Sequence, residues 1–171
     1  MNSSFLILIL FLACSGNVTS QIIGQFLQDA YEYPRVEVYF KNTNQKVESK
    51  EDGSFILPIP IETDKSELIL HDVRLTVEIQ NINIRTTTLD LGKIEFPNYK
   101  YLEIAEYELL TDAEKKSCFP LTCWTQILGY YTTDFLEKDY ILINDKRITD
   151  FVYCSSSKTI KVEWNIIKGN K

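Results

Sequence analysis

The chain has 171 residues, 44% of them hydrophobic, with 18 Lys and Arg against 24 Asp and Glu and a formal net charge of -6. That length has room for one β-sandwich and an addition, and an acidic balance without a clustered basic stripe speaks against a nucleic-acid backbone as partner. A single His, with no Gly-rich phosphate cradle, nucleophile elbow or metal-spaced ligand cluster, removes the common catalytic templates.

Residues 5–13 form an unbroken apolar run, too short for the about 20 residues that span a bilayer and suited to the h-region of an export signal. The segment before it, Met1-Asn2-Ser3-Ser4, carries no Lys or Arg. Two exits compete. Phe11-Leu12-Ala13-Cys14 followed by Ser15-Gly16 resembles a bacterial lipobox, with Cys14 as the lipid attachment site, whereas Val18-Thr19-Ser20 before Gln21 fits an ordinary small-residue cleavage site. Small residues on both sides of Cys14 place the lipoprotein ahead. Either exit takes the protein into the bacterial cell envelope, as an outer-membrane lipoprotein or a periplasmic protein.

Residues 21–96 read as short strands. Ile23, Gln25 and Leu27 alternate with their neighbours, then Val36, Val38 and Phe40 do the same, and period two marks a strand with one buried face. A polar turn at residues 41–46 leads into a charged edge segment at residues 46–50, and Asp52-Gly53 makes a hairpin turn into a strand whose Phe55, Leu57 and Ile59 face one way. Pro58 and Pro60 end that strand or hold it at an edge. The acidic Glu51-Asp52-Gly53 lacks the alternating oxygen ligands of a calcium loop. Further strand-like runs cover residues 68–70, 73–79, 82–87 and 89–96, with Gly92 permitting a bulge and His71 at a strand end. Short strands at this spacing, without a long helix between them, predict an all-β sandwich.

Pro97-Asn98 is the candidate boundary. Beyond it, residues 99–110 read as strand, Thr111-Asp112-Ala113-Glu114 has capping-box spacing for one or two helical turns, and Pro120 ends them. Residues 124–131 are apolar and aromatic; residues 140–143 are a strand turning at Asn144-Asp145-Lys146-Arg147 into residues 148–153. In residues 158–167, Ile160, Val162, Trp164 and Ile166 take the inward phase. Three cysteines remain after the signal, Cys118, Cys123 and Cys154, an odd number that predicts one disulfide and a spare thiol, with all three pairings open. A local loop closed by Cys118 and Cys123 is one of them. Adding His71 to these cysteines gives no zinc spacing, so neither a metal nor a cofactor is expected.

Ile22-Ile23-Gly24-Gln25, the strand Val36-Glu37-Val38-Tyr39-Phe40, Glu51-Asp52-Gly53-Ser54-Phe55-Ile56-Leu57 and Leu91-Gly92-Lys93-Ile94 fall in one recognisable order. Together they resemble the carboxypeptidase regulatory-like domain, a transthyretin-like β-sandwich of Greek-key type, over about residues 21–96. His71-Asp72 stands where that family often has Gly-Tyr. The resemblance implies an exported accessory module without catalytic residues of its own, followed here by a β-rich extension or second small unit at 97–171 with at most a short helix.

The expected function is therefore that of a noncatalytic envelope accessory protein, binding or structural. Tyr130, Tyr131 and Trp124 are the candidate contacts to a protein or a glycan, because aromatic rings give large contact area for few rotatable bonds. Of the Tyr130-Tyr131 pair, a single-faced sheet buries at most one. Trp164 is read as core and Trp124 as packing beside a disulfide at Cys123. A hydrolase built on a carboxylate pair is the alternative, since such pairs converge in space and not in sequence.

Overall fold

The computed structural model describes residues 20–27, 35–59, 65–83 and 88–168. Cys14, with its proposed lipid, lies outside the described residues. Among the described residues the first part holds the strands β1 (Gln21–Phe26), β2 (Glu37–Phe40), β3 (Lys46–Glu48), β4 (Ser54–Pro58), β5 (Lys65–His71), β6 (Thr76–Asn83) and β7 (Thr88–Glu95). β4-β1-β7 lie side by side in one sheet and β6-β5-β2-β3 in the other. Strands β2, β3 and β4 follow in sequence and β5 returns beside β2, which is the Greek-key order. The fold is an all-β sandwich.

Period two places the core as expected in β2 and β4, whereas in β1 the other phase turns inward: Ile22 and Phe26 are buried and Leu27 is exposed. Phe55 and Leu57 of β4 and Ile59 after it are buried, as are Val38 and Phe40 of β2. Fully burying each such side chain contributes roughly 1.5–3 kcal/mol. Gly92 has φ +58 and sits in a bulge: Ile23 pairs with Asp90 and Gln25 with Lys93, so Leu91 and Gly92 together face Gly24. Its left-handed backbone is one that glycine adopts without strain. The charged segment at residues 46–50 begins as β3, an outer strand where Lys46 and Glu37 pair at 2.6 Å.

The Asp52-Gly53 turn differs from the hairpin reading. It joins strands that belong to opposite sheets, so it is a corner of the sandwich and not the end of a two-strand ladder. Pairing with β2 ends where Ser49 turns inward and its Oγ accepts the Val36 N–H at 3.0 Å. Asp52 Oδ1 then accepts both the N–H and the hydroxyl of Ser54, at 2.9 and 2.6 Å, and fixes the corner.

Past Pro97 come β8 (Tyr99–Leu102), α1 (Ile104–Glu108), α2 (Asp112–Lys115), β9 (Cys118–Cys123), β10 (Gln126–Leu136), β11 (Ile141–Ile143), β12 (Lys146–Ile148), β13 (Val152–Cys154), β14 (Thr159–Glu163) and α3 (Trp164–Lys168), with a 3-10 turn at Ser155–Ser157. This half does two things. β11 pairs with β7 and β14 pairs with β6, each sealing an edge of the sandwich, and β12 and β13 continue outward from them. Ile141 and Ile143 enter the core fully buried. β8, β10 and β9 form a third sheet of their own.

Several local readings change. Residues 99–110 are not one strand: β8 stops at Leu102, and the Glu103 N–H donates to Glu106 Oε2 at 2.8 Å to open α1. The capping box at Thr111 forms as its spacing predicts, with the Thr111 N–H on Glu114 Oε2 at 2.7 Å. Pro120 lies inside β9, two residues past that strand's start, rather than ending a helix. Alternation in the last segment stops at Glu163, where α3 begins; Ile167 is buried and Trp164 and Ile166 pack partly against the core. Lys146 Nζ donates to the carbonyls of Ile167 and Lys168, satisfying the helix end.

Candidate binding face

The third sheet carries most of the aromatic surface. Tyr131 of β10 lies between Tyr101 of β8 and Phe119 of β9 in direct cross-strand register, with ring centroids 5.7 and 5.5 Å away. Tyr99 meets the edge of Phe119 at 5.9 Å. On the opposite phase, Tyr130 stacks on Tyr107 of α1, and Lys115 Nζ sits 5.3 Å from the centre of the Tyr107 ring. Tyr130 and Tyr131 are both half-buried, because α1 covers one phase while rings and core cover the other. A single-faced sheet is thus the wrong picture for this pair.

Gly129 makes the arrangement possible. A Cβ there would run into the Tyr101 side chain, whose hydroxyl crosses β10 to donate to the Leu128 carbonyl at 2.8 Å. Two further tyrosines fasten the sheet to the sandwich: the Tyr99 hydroxyl donates to the Arg74 carbonyl and the Tyr153 hydroxyl to the Thr133 carbonyl. Burial raises the pKa of both phenols. The neighbouring Tyr153 and then Asp72 add to the effect at Tyr99, and Asp134 adds to it at Tyr153. Both stay protonated donors at neutral pH.

At the far end of the hairpin, Trp124 and Thr125 form a two-residue turn between β9 and β10. Trp124 has φ 57 and is 98% exposed. Hairpin turns of this length favour Gly or Asn where φ is positive, and a non-Gly residue in that region costs about 1–3 kcal/mol. No packing offsets it here. The reading of Trp124 against a disulfide is accordingly corrected.

The cysteines are corrected with it, for Cys118, Cys123 and Cys154 are all free thiols. Cys118 and Cys123 stand at the two ends of β9. Five residues of extended chain separate their Cα atoms by roughly 16 Å, where a disulfide requires less than about 7 Å. The local loop between them cannot close. Cys154 Sγ lies 3.3 Å from Ser156 Oγ, and the Ser156 and Ser157 side chains hold its thiol pKa down to about 7. His71 places Nδ1 2.9 Å from Thr76 Oγ1 at the β5–β6 end. Among the described residues, no group of three or more His, Cys, Asp or Glu is placed to hold a metal ion.

A second feature lies where β10 leaves the third sheet. An open groove of about 490 Å³ runs between the end of β10 and β13, lined by Phe135, Tyr140, Phe151 and Tyr153 together with Asp134, Glu137 and Asp139. Arg147 covers one face of Tyr140 at 3.9 Å, and Phe135 stands 65% exposed. Sequence reading does not find this groove, since its residues meet only once β10 and β13 are laid together. For the hairpin a signal exists: between Lys116 and Asp134 the chain has no charged residue at all.

No family model and no curated protein matches the chain. Among solved structures, a type II cohesin–X-dockerin complex from Acetivibrio cellulolyticus is similar over 43% of this chain and 52% of that one, at 17% identity and a TM-score of 0.36. A 9R-lipoxygenase from Cyanothece PCC8801 is similar over 58% of this chain and 21% of its own, at 16% identity and a TM-score of 0.35. The chain thus spans about half and about a fifth of the lengths of these two. Likenesses this loose say nothing of what the protein binds.

Proposed function

We propose that this protein is a noncatalytic binding module of the bacterial cell envelope, exported and tethered through a lipid on Cys14, in which a carboxypeptidase regulatory-like sandwich presents the third sheet to a protein partner. The observation that carries this reading is where apolar surface is left exposed. Of twelve exposed large hydrophobic residues among those described, eight fall between Tyr101 and Phe135, and Trp124 and Leu109 are 98% and 86% exposed. Scattered exposed apolar side chains need no explanation, but a concentration of them in one small unit marks an interaction surface. The family assignment draws on the Greek-key order and on the Asp-Gly-x-Phe corner between β3 and β4.

The test is retention of envelope proteins by the immobilised mature chain, set beside a variant in which Trp124, Ile127 and Leu128 are all replaced by Ser. These side chains are exposed, so the variant should fold. Retention that disappears with the three substitutions supports the proposal; equal retention by both proteins refutes it. Mass spectrometry of the mature amino terminus tests the tether separately, and a chain beginning at Gln21 removes it.

The groove favours a second reading, a glycan site. Exposed Phe135 offers a ring face beside the carboxylates Asp134, Glu137 and Asp139, which accept from sugar hydroxyls. Binding to an array of envelope glycans that is lost in Phe135→Ala and kept in Trp124→Ala would establish that reading over the first.

A further inference from the structure

The groove at the end of β10 specifies a further contact, on the premise that the protein is a module that binds another protein. Residues 133–135 have no partner on β8, where Thr132 pairs with Lys100 and Leu136 with the adjacent Tyr99. Such a bulge re-aims the side chains it carries. It is held from the β9 side: the Thr133 N–H donates to the Ser117 carbonyl at 3.0 Å, and the Ser117 hydroxyl donates to Asp134 Oδ2 at 2.7 Å. Asp134 and Phe135 thus stand exposed side by side in the lining of the groove. We propose that this groove receives an arginine side chain of a protein partner, with its guanidinium stacked on Phe135 and donating to the carboxylates of Asp134, Glu137 and Asp139.

The balance of donors and acceptors separates a cation from a sugar. Among the described residues Glu137 and Asp139 have no ion-pair partner, and Asp134 accepts from the Ser117 hydroxyl alone. Lys138 in the same lining is already paired with Glu95, and the Tyr153 hydroxyl donates to the Thr133 carbonyl. Three carboxylates then stand against the Tyr140 hydroxyl, so side-chain acceptors are in excess. Sugar hydroxyls both donate and accept and need a site that does both, whereas a guanidinium has five donors and no acceptor. The lining matches the second.

Carboxylates on open surface would be ordinary solvated charges. Here they share a concave lining with Phe135, Tyr140, Phe151 and Tyr153, and a cation over an aromatic face is held by the ring's negative centre. The chain itself shows the geometry at the edge of this groove, where the Arg147 guanidinium lies 3.9 Å from the centre of the Tyr140 ring. Phe135 is 65% exposed and, among the described residues, has no cation over its ring. Arginine suits it better than lysine, because the planar guanidinium stacks on a ring and still directs its donors to carboxylates in the same plane.

The experiment is an NMR titration of the isotope-labelled mature protein with the peptide acetyl-Ala-Ala-Arg-Ala-Ala-amide. The amide signals of residues 134–140 are expected to move, less so at high salt, less with Lys in place of Arg, and not at all with Glu. Phe135→Ala should weaken binding about two- to fivefold. Joint replacement Asp134→Asn, Glu137→Gln and Asp139→Asn should weaken it at least about fivefold. All four side chains are exposed, so the thermal midpoints should match that of the parent protein. No movement at residues 134–140, or equal movement with the Glu peptide, overturns the proposal. Spermidine that binds more tightly than the Arg peptide and ignores Phe135→Ala overturns it in favour of loose cation attraction. A chitooligosaccharide that moves the same signals and is not displaced by the Arg peptide overturns it in favour of the glycan site, and Phe135-dependent dimerisation in sedimentation overturns it in favour of a second copy of the chain. Equal envelope retention by the parent and the Trp124, Ile127 and Leu128 variant, with the Arg peptide still bound at the groove, would refute the role of the third sheet and leave this contact standing.

Discussion

Tyr107 and Tyr130 lie face to face, with ring centroids 3.6 Å apart and planes 9° from parallel. This stack joins α1, a helix of five residues with no buried side chain, to the middle of β10. A helix so short is not stable by itself, so its position depends on this contact and on its caps. Aromatic pairs contribute about 0.5–1.5 kcal/mol beyond their area. Tyr107→Ala is therefore expected to lower stability by about 1 kcal/mol in urea denaturation. A double-mutant cycle with Tyr130→Ala should return a coupling of that size, and a coupling near zero would show that the rings merely adjoin.

How much of this was legible follows from period and phase. Val38 and Phe40, then Phe55, Leu57 and Ile59, then Ile160 and Val162 announce their strands because one face is core and the other solvent. The turn at Asn144 and Asp145, with φ 54 and 57, is the hairpin chemistry those residues favour. The third sheet is harder to read. Its aromatic residues occupy both phases of β10, so alternation vanishes, and α1 follows the short strand β8 with only Glu103 between them, so the strand signal of Tyr99 and Tyr101 hides where the helix begins. The groove is illegible for a different reason: Phe135 and Phe151 are far apart in sequence and meet only through tertiary packing.

The corner at Asp52 gives a pH-dependent prediction. Hydrogen bonds from the Ser54 hydroxyl and then the Ser54 N–H lower the Asp52 pKa below its ordinary 3.8. A carboxylate depressed in the folded state contributes stability that is fully present above the unfolded value and is lost as pH falls through the folded one. Asp52→Ala should thus melt below the parent protein at pH 7, and the gap should narrow as pH drops under 3.8. The side chain is exposed, so the difference is small. Thermal midpoints measured from pH 7 to pH 2 check it, and a gap that is constant across the range assigns the effect to turn geometry alone.

Cys154 is expected to be the thiol that titrates near neutrality. Its pKa falls from 9.0 to about 7 because the hydroxyls of Ser156 and Ser157 stabilise the thiolate, the nucleophilic form. Its alkylation by iodoacetamide, followed by peptide mass spectrometry, should rise with pH through a midpoint near 7. Ser156→Ala should move that midpoint upward. Recovery of a Cys118–Cys123 disulfide from the mature protein would contradict the extended β9 that holds the two apart.

The two halves of the chain should prove inseparable in folding. Ile141 and Ile143 fill the core beside Ile94 and Leu91, and β11 and β14 occupy the outer edges of β7 and β6. A chain ending at Phe96 would uncover those edges and lose both isoleucines, at roughly 1.5–3 kcal/mol each. Ile160, Val162 and Ile167 would go with them. Against a typical stability of about 5–15 kcal/mol, that loss removes most or all of the margin. The shortened chain should show no cooperative thermal transition and should bind a hydrophobic dye. A sharp transition in calorimetry would mean instead that residues 21–96 close a core of their own and that the later strands only decorate it.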